Sequence, residues 1–376
     1  MSGPAERVRR VVGCMTGTSL DGIDAALLEI SGEGLQMRCR FVHGVSDELG
    51  PIKQQLRDMA EQVPMTAGQI ATLAREFSLL HARVVRQLLA GQQADLICVH
   101  GQTVFHKPPV SWQLFEPGPL VHATQTPVVF NLRQADLARG GQGAPITPVA
   151  DGVLFFSNHR SSAGVGIDAI VNLGGFCNVT ERMSGDYRTG EDTMYSGRDL
   201  CACNHVLDFI AREYMRMPFD ADGSRAMQGV VREYTLHEFS HALLAQSRGN
   251  RSLGTGDELS QRIASYASRM SPEDLAATAC HAIAQAVHDA MSSSVESVVL
   301  AGGGVKNAAL MQAFAQRFRM CQTTQVFGIP PEYREAACFA VLGALCQDDV
   351  SIYVQDQRSA GHLAIAGNWA FASPCV

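Results

Sequence analysis

From Gly13 to Asp24 the chain reads Gly-Cys-Met-Thr-Gly-Thr-Ser-Leu-Asp-Gly-Ile-Asp, directly after the apolar pair Val11-Val12. Glycines such as Gly13, Gly17 and Gly22 let a backbone turn tightly and bring N–H groups against an anion. The hydroxyls of Thr16, Thr18 and Ser19 can bond phosphate oxygens, and Asp21 and Asp24 are carboxylates of the kind that hold Mg²⁺ or its waters. Ala25–Ile30 then continues as an apolar strand, so the stretch reads as strand, phosphate-gripping turn, strand. No Gly-Lys-[Ser/Thr] closes it, which separates it from the Walker pattern. A β-hairpin with a Gly/Asp turn reads the same way without any ligand.

Two more glycine turns leave apolar strands. Gly174-Gly175, with Asn178 close behind, follows Ala169–Leu173 and could offer amides and a side-chain amide to a second phosphate. Gly302-Gly303-Gly304, with Asn307, follows Ser297–Leu300 and opens a helix, whose N-terminus favours anions. Its small residues would let a flat base lie against the backbone. Each turn alone is an ordinary connection between strand and helix. Together the three point to a nucleotide held between two lobes.

The elements that must position these turns alternate between strand-like and helical patterns, which predicts an α/β fold. Apolar spacing of three and four from Ile70 through Leu73, Phe77, Leu80, Val84 and Leu88 predicts a helix over about Thr66–Gln92. Strands are expected at Asp95–His100 and Pro127–Asn131. Ser271-Pro272 reads as an N-cap with proline at the first helical position, starting a helix that ends near Met291. The glycine-rich stretch Arg139–Pro145 could let two lobes pivot. Strand followed by glycine turn at 11–17, and again at 169–175, is a loose two-fold echo. At 376 residues two domains are expected: 1–134, completed by 351–376, and 135–350.

Hydrophobic residues make up 46% and charged residues 18%, an ordinary globular composition. The net charge is 30 − 37 = −7 without a basic run, which argues against nucleic acid as a partner. No apolar run reaches membrane-spanning length and the start lacks a signal-peptide core, so no membrane partner is expected. Eleven cysteines scattered through apolar or small-residue runs fit a reducing, cytoplasmic setting.

With these turns in place the sequence resembles the anhydro-N-acetylmuramic acid kinases, a branch of the two-lobed ATPases that includes actin, sugar kinases and Hsp70. The resemblance runs through Met15–Asp24, His100–His106, Arg133–Asp136 leading to Gly140–Pro145, Asn172–Asn178, Phe219–Gly223, Gly302–Asn307 and Glu335–Ala340. It implies an actin-like, ribonuclease H-like fold with the nucleotide in the interdomain cleft, ATP and Mg²⁺ as cofactors, and a 1,6-anhydro amino sugar as substrate. The reaction it implies opens the anhydro ring with water and phosphorylates O6.

The family pattern Asp-Thr-Gly-Pro-Gly-Asn around the catalytic aspartate matches Asp199-Leu-Cys-Ala-Cys-Asn204 here, with both glycines lost. Asp199 is the implied general base, and Asp192, within Gly190–Thr193, is the rival. The resemblance gives Glu335, Arg133, Asp136 and His100 sugar-side roles. A helix-start acid, a structural ion pair and a structural histidine are the plainer readings of these residues. Asp21 and Asp24 are the implied Mg²⁺ carboxylates. A kinase of another anhydro sugar such as levoglucosan, or an inactive ATP-binding sensor, stays open, as does a homodimer. His237-Glu238-Phe-Ser-His241 fits a zinc-protease helix, with Glu258 as a further ligand, but lies where the family has a surface helix. Cys201, Cys203 and His205 also look metal-like, although packing cysteines are the plainer account.

Overall fold

The computed structural model describes residues 7–17, 20–156, 166–183, 194–247, 253, 259–353 and 365–372. Thr18, Ser19, Asp192 and Glu258 lie outside them.

Strand β1 (Val8–Met15) and strand β2 (Gly22–Ser31) pair antiparallel, with Met15 opposite Asp24. The first glycine motif is therefore the tip of a hairpin, closed by the Leu20 N–H donating to the Gly17 carbonyl at 3.1 Å. β3 (Arg38–Glu48) extends the hairpin antiparallel to β2. Helices α1 (Lys53–Ala60) and α2 (Ala67–Leu89) follow. α2 starts at a capping box, in which the Gln69 N–H donates to Thr66 Oγ1 at 3.3 Å and the Thr66 N–H to Gln69 Oε1 at 2.7 Å. It stops where Ala90 turns left-handed, φ 46°. Its expected stripe is buried from Leu73 to Leu88, while Ile70 is half-buried.

Next come β4 (Leu96–Val99), the hairpin β5 (Gln102–Lys107) and β6 (Val110–Leu114), α3 (Pro117–Thr124), β7 (Val128–Phe130), α4 (Gln134–Ala138) and α5 (Pro148–Asp151). A second set holds β8 (Ala169–Leu173), β9 (Phe176–Met183), β10 (Met194–Ala202), α6 (Asn204–Ile210), α7 (Glu233–Ser247), α8 (Ser260–Ala267) and α9 (Pro272–Ala290). It closes with β11 (Ser297–Ala301), α10 (Ala308–Ala315) and β12 (Met320–Thr323). α11 (Arg334–Gln347) and β13 (Asn368–Ala370) end the described chain.

Two compact units result: Met1–Asn158 with Tyr333–Val376, and His159–Glu332. Among the described residues the first unit's sheet runs β13-β7-β4-β1-β2-β3 and the second unit's runs β10-β9-β8-β11-β12. In the first, β1, β2 and β3 are antiparallel in succession and β4 and β7 run parallel to β1. In the second, β8, β9 and β10 repeat the antiparallel set, with β11 and β12 parallel. With the strands of each sheet counted in chain order, the first reads 3-2-1-4-5-6 and the second 3-2-1-4-5, sharing the ribonuclease H-like order of their first five strands. The sequence echo at 11–17 and 169–175 is the first strand of each unit running into its turn.

The unit boundaries fall elsewhere than 134/135 and 350/351. Residues 135–158 and all of α11 belong with the first unit, because α11 lies directly on its sheet. A Cβ at Gly13 of β1 would stand 1.9 Å from the Ala336 carbonyl oxygen and 2.3 Å from the Ala340 nitrogen. Gly343 of α11 in turn approaches the Cys98 side chain of β4, with 2.6 Å for a Cβ there. Gly13 meets backbone and Gly343 meets the Cys98 side chain, so neither position has room for a Cβ. The glycine-rich stretch 139–145 is likewise inside the first unit and tied down, as described below, so it is no pivot at the boundary. Each unit has its own core: Val12, Leu27, Phe77, Leu88 and Ile97 in the first, Val171, Leu207, Phe239, Ile283 and Phe314 in the second.

Candidate active site

In the first unit, polar side chains gather around the N-terminal end of α11. His100 follows β4 directly and is buried. Its Nε2 accepts from Arg133 Nε at 3.2 Å and from Arg133 Nη2 at 2.9 Å, and its ring lies 4.9 Å from that of Phe339. Burial and the Arg133 charge hold this imidazole well below the usual histidine range, so it is neutral and an acceptor toward Arg133. His100 thus orients Arg133 through Nε2, while its buried Nδ1 has no hydrogen-bond partner among the described residues.

Arg133 also donates from Nη1 to the Gly143 carbonyl at 2.6 Å. Asp136 does not pair with Arg133. Its Oδ2 accepts the Gly143 N–H at 2.7 Å and its Oδ1 accepts from Arg139 at 2.8 Å, while a Cβ at Gly141 would strike this carboxylate at 2.3 Å. Asp136 therefore organises the glycine loop from within. The sequence had offered sugar binding or an ion pair with Arg133, and the observed ion-pair partner is Arg139.

Glu335 sits in the first turn of α11, half-buried. Burial pushes its carboxyl above the usual range. Arg334 pulls it down, Asp24 and Asp151 push it up, and Arg133 pulls it down. Asp24 on β2 accepts from Ser46 Oγ at 2.5 Å, and that hydroxyl also lies 3.3 Å from the Tyr333 hydroxyl. Asp21 is exposed at the hairpin tip, 3.6 Å from Lys53 Nζ. Gly22 is opposite Glu48, and a Cβ there would meet the Asp47 carbonyl at 2.5 Å, so strand packing requires this glycine. Thr16 is buried at the turn, and its Oγ1 has no hydrogen-bond partner among the described residues. Such an atom is costly unless something binds it.

In the second unit the other two glycine turns meet at the ends of the parallel strands β8 and β11, where open α/β sheets bind ligands. Gly302 has φ +83°, and a Cβ there would lie 2.7 Å from Asn172 Oδ1 and 2.9 Å from the Leu173 carbonyl. A Cβ at Gly304 would touch Leu173, while one at Gly303 would meet only Asn204 Nδ2, at 3.9 Å. The Gly174 carbonyl accepts the Asn204 N–H at 3.1 Å, and the Gly175 carbonyl accepts those of Cys203 and His205 at 2.9 and 3.2 Å. His205 lies over Gly175, so a Cβ there would be 2.4 Å from its Nε2. Asn204 Nδ2 donates to the Leu173 carbonyl at 3.0 Å. Asn307 caps α10, its Oδ1 accepting the Leu310 N–H at 3.0 Å.

Asp199 lies on β10 opposite Asn178 of β9, just before a break in register between Asp199 and Cys201. Its Oδ2 accepts the Leu253 N–H at 2.9 Å. Asp199, Asn178, Gly174, Gly175, Asn204 and Gly302–Gly304 are thus tied by strand pairing and direct contacts. Cys201 and Cys203 are buried packing residues. On α7, the His237 and His241 rings are 4.3 Å apart and Glu238 is 3.9 Å from Arg269, with no cluster of three metal-ligating side chains among the described residues.

Sequence reasoning missed the buried pair of Asp151 and Arg334. Arg334 Nε donates to Asp151 Oδ1 at 2.9 Å, and Nη2 to Asp151 Oδ2 and, at 3.2 Å, to Thr147 Oγ1. Partners 183 positions apart carry no local signal.

Among the described residues no helix is long and apolar enough to cross a membrane. The sequence profile described as "Anhydro-N-acetylmuramic acid kinase" matches residues 9–369. The curated anhydro-N-acetylmuramic acid kinase of Bordetella pertussis is 32% identical over 371 residues, covering 93% of each chain. That of Salinibacter ruber is 30% identical over 370 residues, covering 89% of each. Among solved structures, the activator of the 2-hydroxyisocaproyl-CoA dehydratase from Clostridium difficile aligns over 91% of this chain and 98% of its own, at 11% identity and a TM-score of 0.40. By the reach of the profile and these relatives, the chain belongs to the anhydro-N-acetylmuramic acid kinase family.

Proposed function

We propose that this family member opens the 1,6-anhydro ring of anhydro-N-acetylmuramic acid with water and phosphorylates O6, giving N-acetylmuramic acid 6-phosphate. One observation carries the reading most: the second unit joins a glycine cradle at the ends of β8 and β11 to an aspartate oriented by a backbone amide. The residues fit a nucleotide. Gly303 leaves its side open, and the first unit's hairpin holds a buried threonine hydroxyl, without a partner among the described residues, that a phosphate oxygen would satisfy. Gly17, Thr16, Gly174, Gly175 and Gly302–Gly304 would hold ATP, with the amide nitrogens of Asn178 and Asn307 as further donors. Asp21 and Asp24 supply the hard oxygen ligands Mg²⁺ prefers.

Asp199 is the general base in this reading. Its carboxylate takes a proton from the water attacking C1, the C1–O6 bond breaks, and O6 is freed as an acceptor. O6 would then take the γ-phosphoryl group of bound ATP as its bond to ADP breaks and ADP leaves, with Mg²⁺ screening the charge. Arg133, oriented by His100, and the Glu335 carboxyl bind the sugar's polar groups. Ten free cysteines among the described residues fit a reducing cytoplasm.

The test is ADP release by the purified protein with anhydro-N-acetylmuramic acid and with levoglucosan. Release with the first supports the reading, and release with levoglucosan alone or with neither sugar overturns it.

A further inference from the structure

Arg334 and Asp151 form a wholly buried ion pair, exposed 1% and 0%. A buried pair of this kind adds little net stability over apolar side chains of the same volume, because both charges lose their water. Arg334 Nη1 is moreover buried with no hydrogen-bond partner among the described residues. Stability alone does not account for such an arrangement.

Its location suggests another purpose. Arg334 is the first residue of α11 and Glu335 the second. Asp151 ends α5, and Thr147, the other residue held by Arg334, directly precedes α5. The segment just before Thr147 is the glycine loop that Arg133 and Asp136 hold through Gly143. The pair thus fastens the start of the Glu335 helix to the segment carrying the Arg133 loop, within one unit.

We propose that Arg334 and Asp151 are positioning residues, which fix Glu335 relative to Arg133 so that together they receive the anhydro sugar. This rests on the sugar-kinase reading above. Among the described residues the charged groups acting on Glu335 are Arg334 on its own helix, Asp24 on β2, Asp151 on α5 and Arg133 ahead of α4, with the titratable Cys338 thiol one turn along α11. Of the pair, Arg334 acts on Glu335 more strongly than Asp151 does. Asp151→Asn therefore lowers the Glu335 pKa, whereas the neutral double variant Asp151→Leu with Arg334→Met raises it.

Sugar binding without ATP, measured by calorimetry from pH 5 to pH 9, is the readout, since the Asp199 chemistry does not enter it. Both variants should melt cooperatively and keep the wild-type KM for ATP. They should bind the sugar more weakly, on the order of tenfold. The acid-side loss of binding should move to lower pH in Asp151→Asn and to higher pH in the double variant. Arg334→Lys, which keeps the charge, should retain the wild-type pH profile. Variants that bind sugar as the wild type does, shift the same way, or lose their cooperative melt show the pair to be structural and overturn the proposal. Failure of the wild type to bind the sugar would instead defeat the functional reading itself.

Discussion

Asp199 stands opposite Asn178 in the β9–β10 pairing, and its Oδ2 accepts the Leu253 backbone N–H at 2.9 Å. Strand pairing fixes its Cα and the amide fixes its carboxylate, which is what a general base needs. Asp199→Asn preserves shape and can still accept the amide, yet cannot take a proton at neutral pH. Its kcat should fall by about 10²–10⁴-fold with an unchanged melting temperature. Steady-state kinetics beside a thermal melt checks this, and a variant with wild-type kcat would remove Asp199 from the role.

Gly13→Ala tests the contact between α11 and β1. The new Cβ would lie 1.9 Å from a backbone carbonyl, which no rotamer change relieves. Overpacking of this severity should cost about 3 kcal/mol or more. Urea unfolding should show it as a lower midpoint at constant slope. An unchanged midpoint would mean that α11 does not approach β1 this closely.

His81 links stability to pH. Burial pushes its pKa down from 6.5 to about 4, partly opposed by the Phe77 carbonyl at 2.9 Å. The folded state disfavours the proton, so this contribution is present above the unfolded pKa. It is lost as pH falls from about 6.5 through the folded value near 4. Its full size is about 3 kcal/mol. His81→Leu, which also removes a buried Nε2 without a partner among the described residues, should flatten the stability curve across that window. Equally steep curves for both proteins would contradict the assignment.

Asp136→Ala separates a loop organiser from a sugar ligand. Losing the acceptors for Gly143 N–H and Arg139 should cost about 2 kcal/mol of stability. KM for the sugar should rise through Arg133 misplacement while KM for ATP stays constant. A higher sugar KM with no change in the melt would instead make Asp136 a direct ligand.

The sequence made the architecture legible where local rules decide. Thr66 and Ser271 begin α2 and α9 as capping residues do, and Asn307 caps α10. The repeated strand-and-turn unit at β1 and β8 anticipated two sheets of one order. What stayed hidden depends on long-range packing. The boundary near residue 158, the return of α11 to the first sheet and the Arg334–Asp151 pair all join residues far apart in sequence. The stretch 139–145 looked like a hinge because glycine reads as freedom. The Asp136 carboxylate, four residues before the first glycine pair, takes that freedom away.

In the proposed reaction one aspartate-activated water opens the sugar while O6 takes the phosphoryl group. Mass spectrometry of the product formed from anhydro-N-acetylmuramic acid, ATP and Mg²⁺ in oxygen-18 water tests it most directly. The expected product is a 6-phosphate with the heavy oxygen at C1 at early times. A phosphorylated product with its anhydro bridge intact, or with the heavy oxygen in the phosphate, would contradict it.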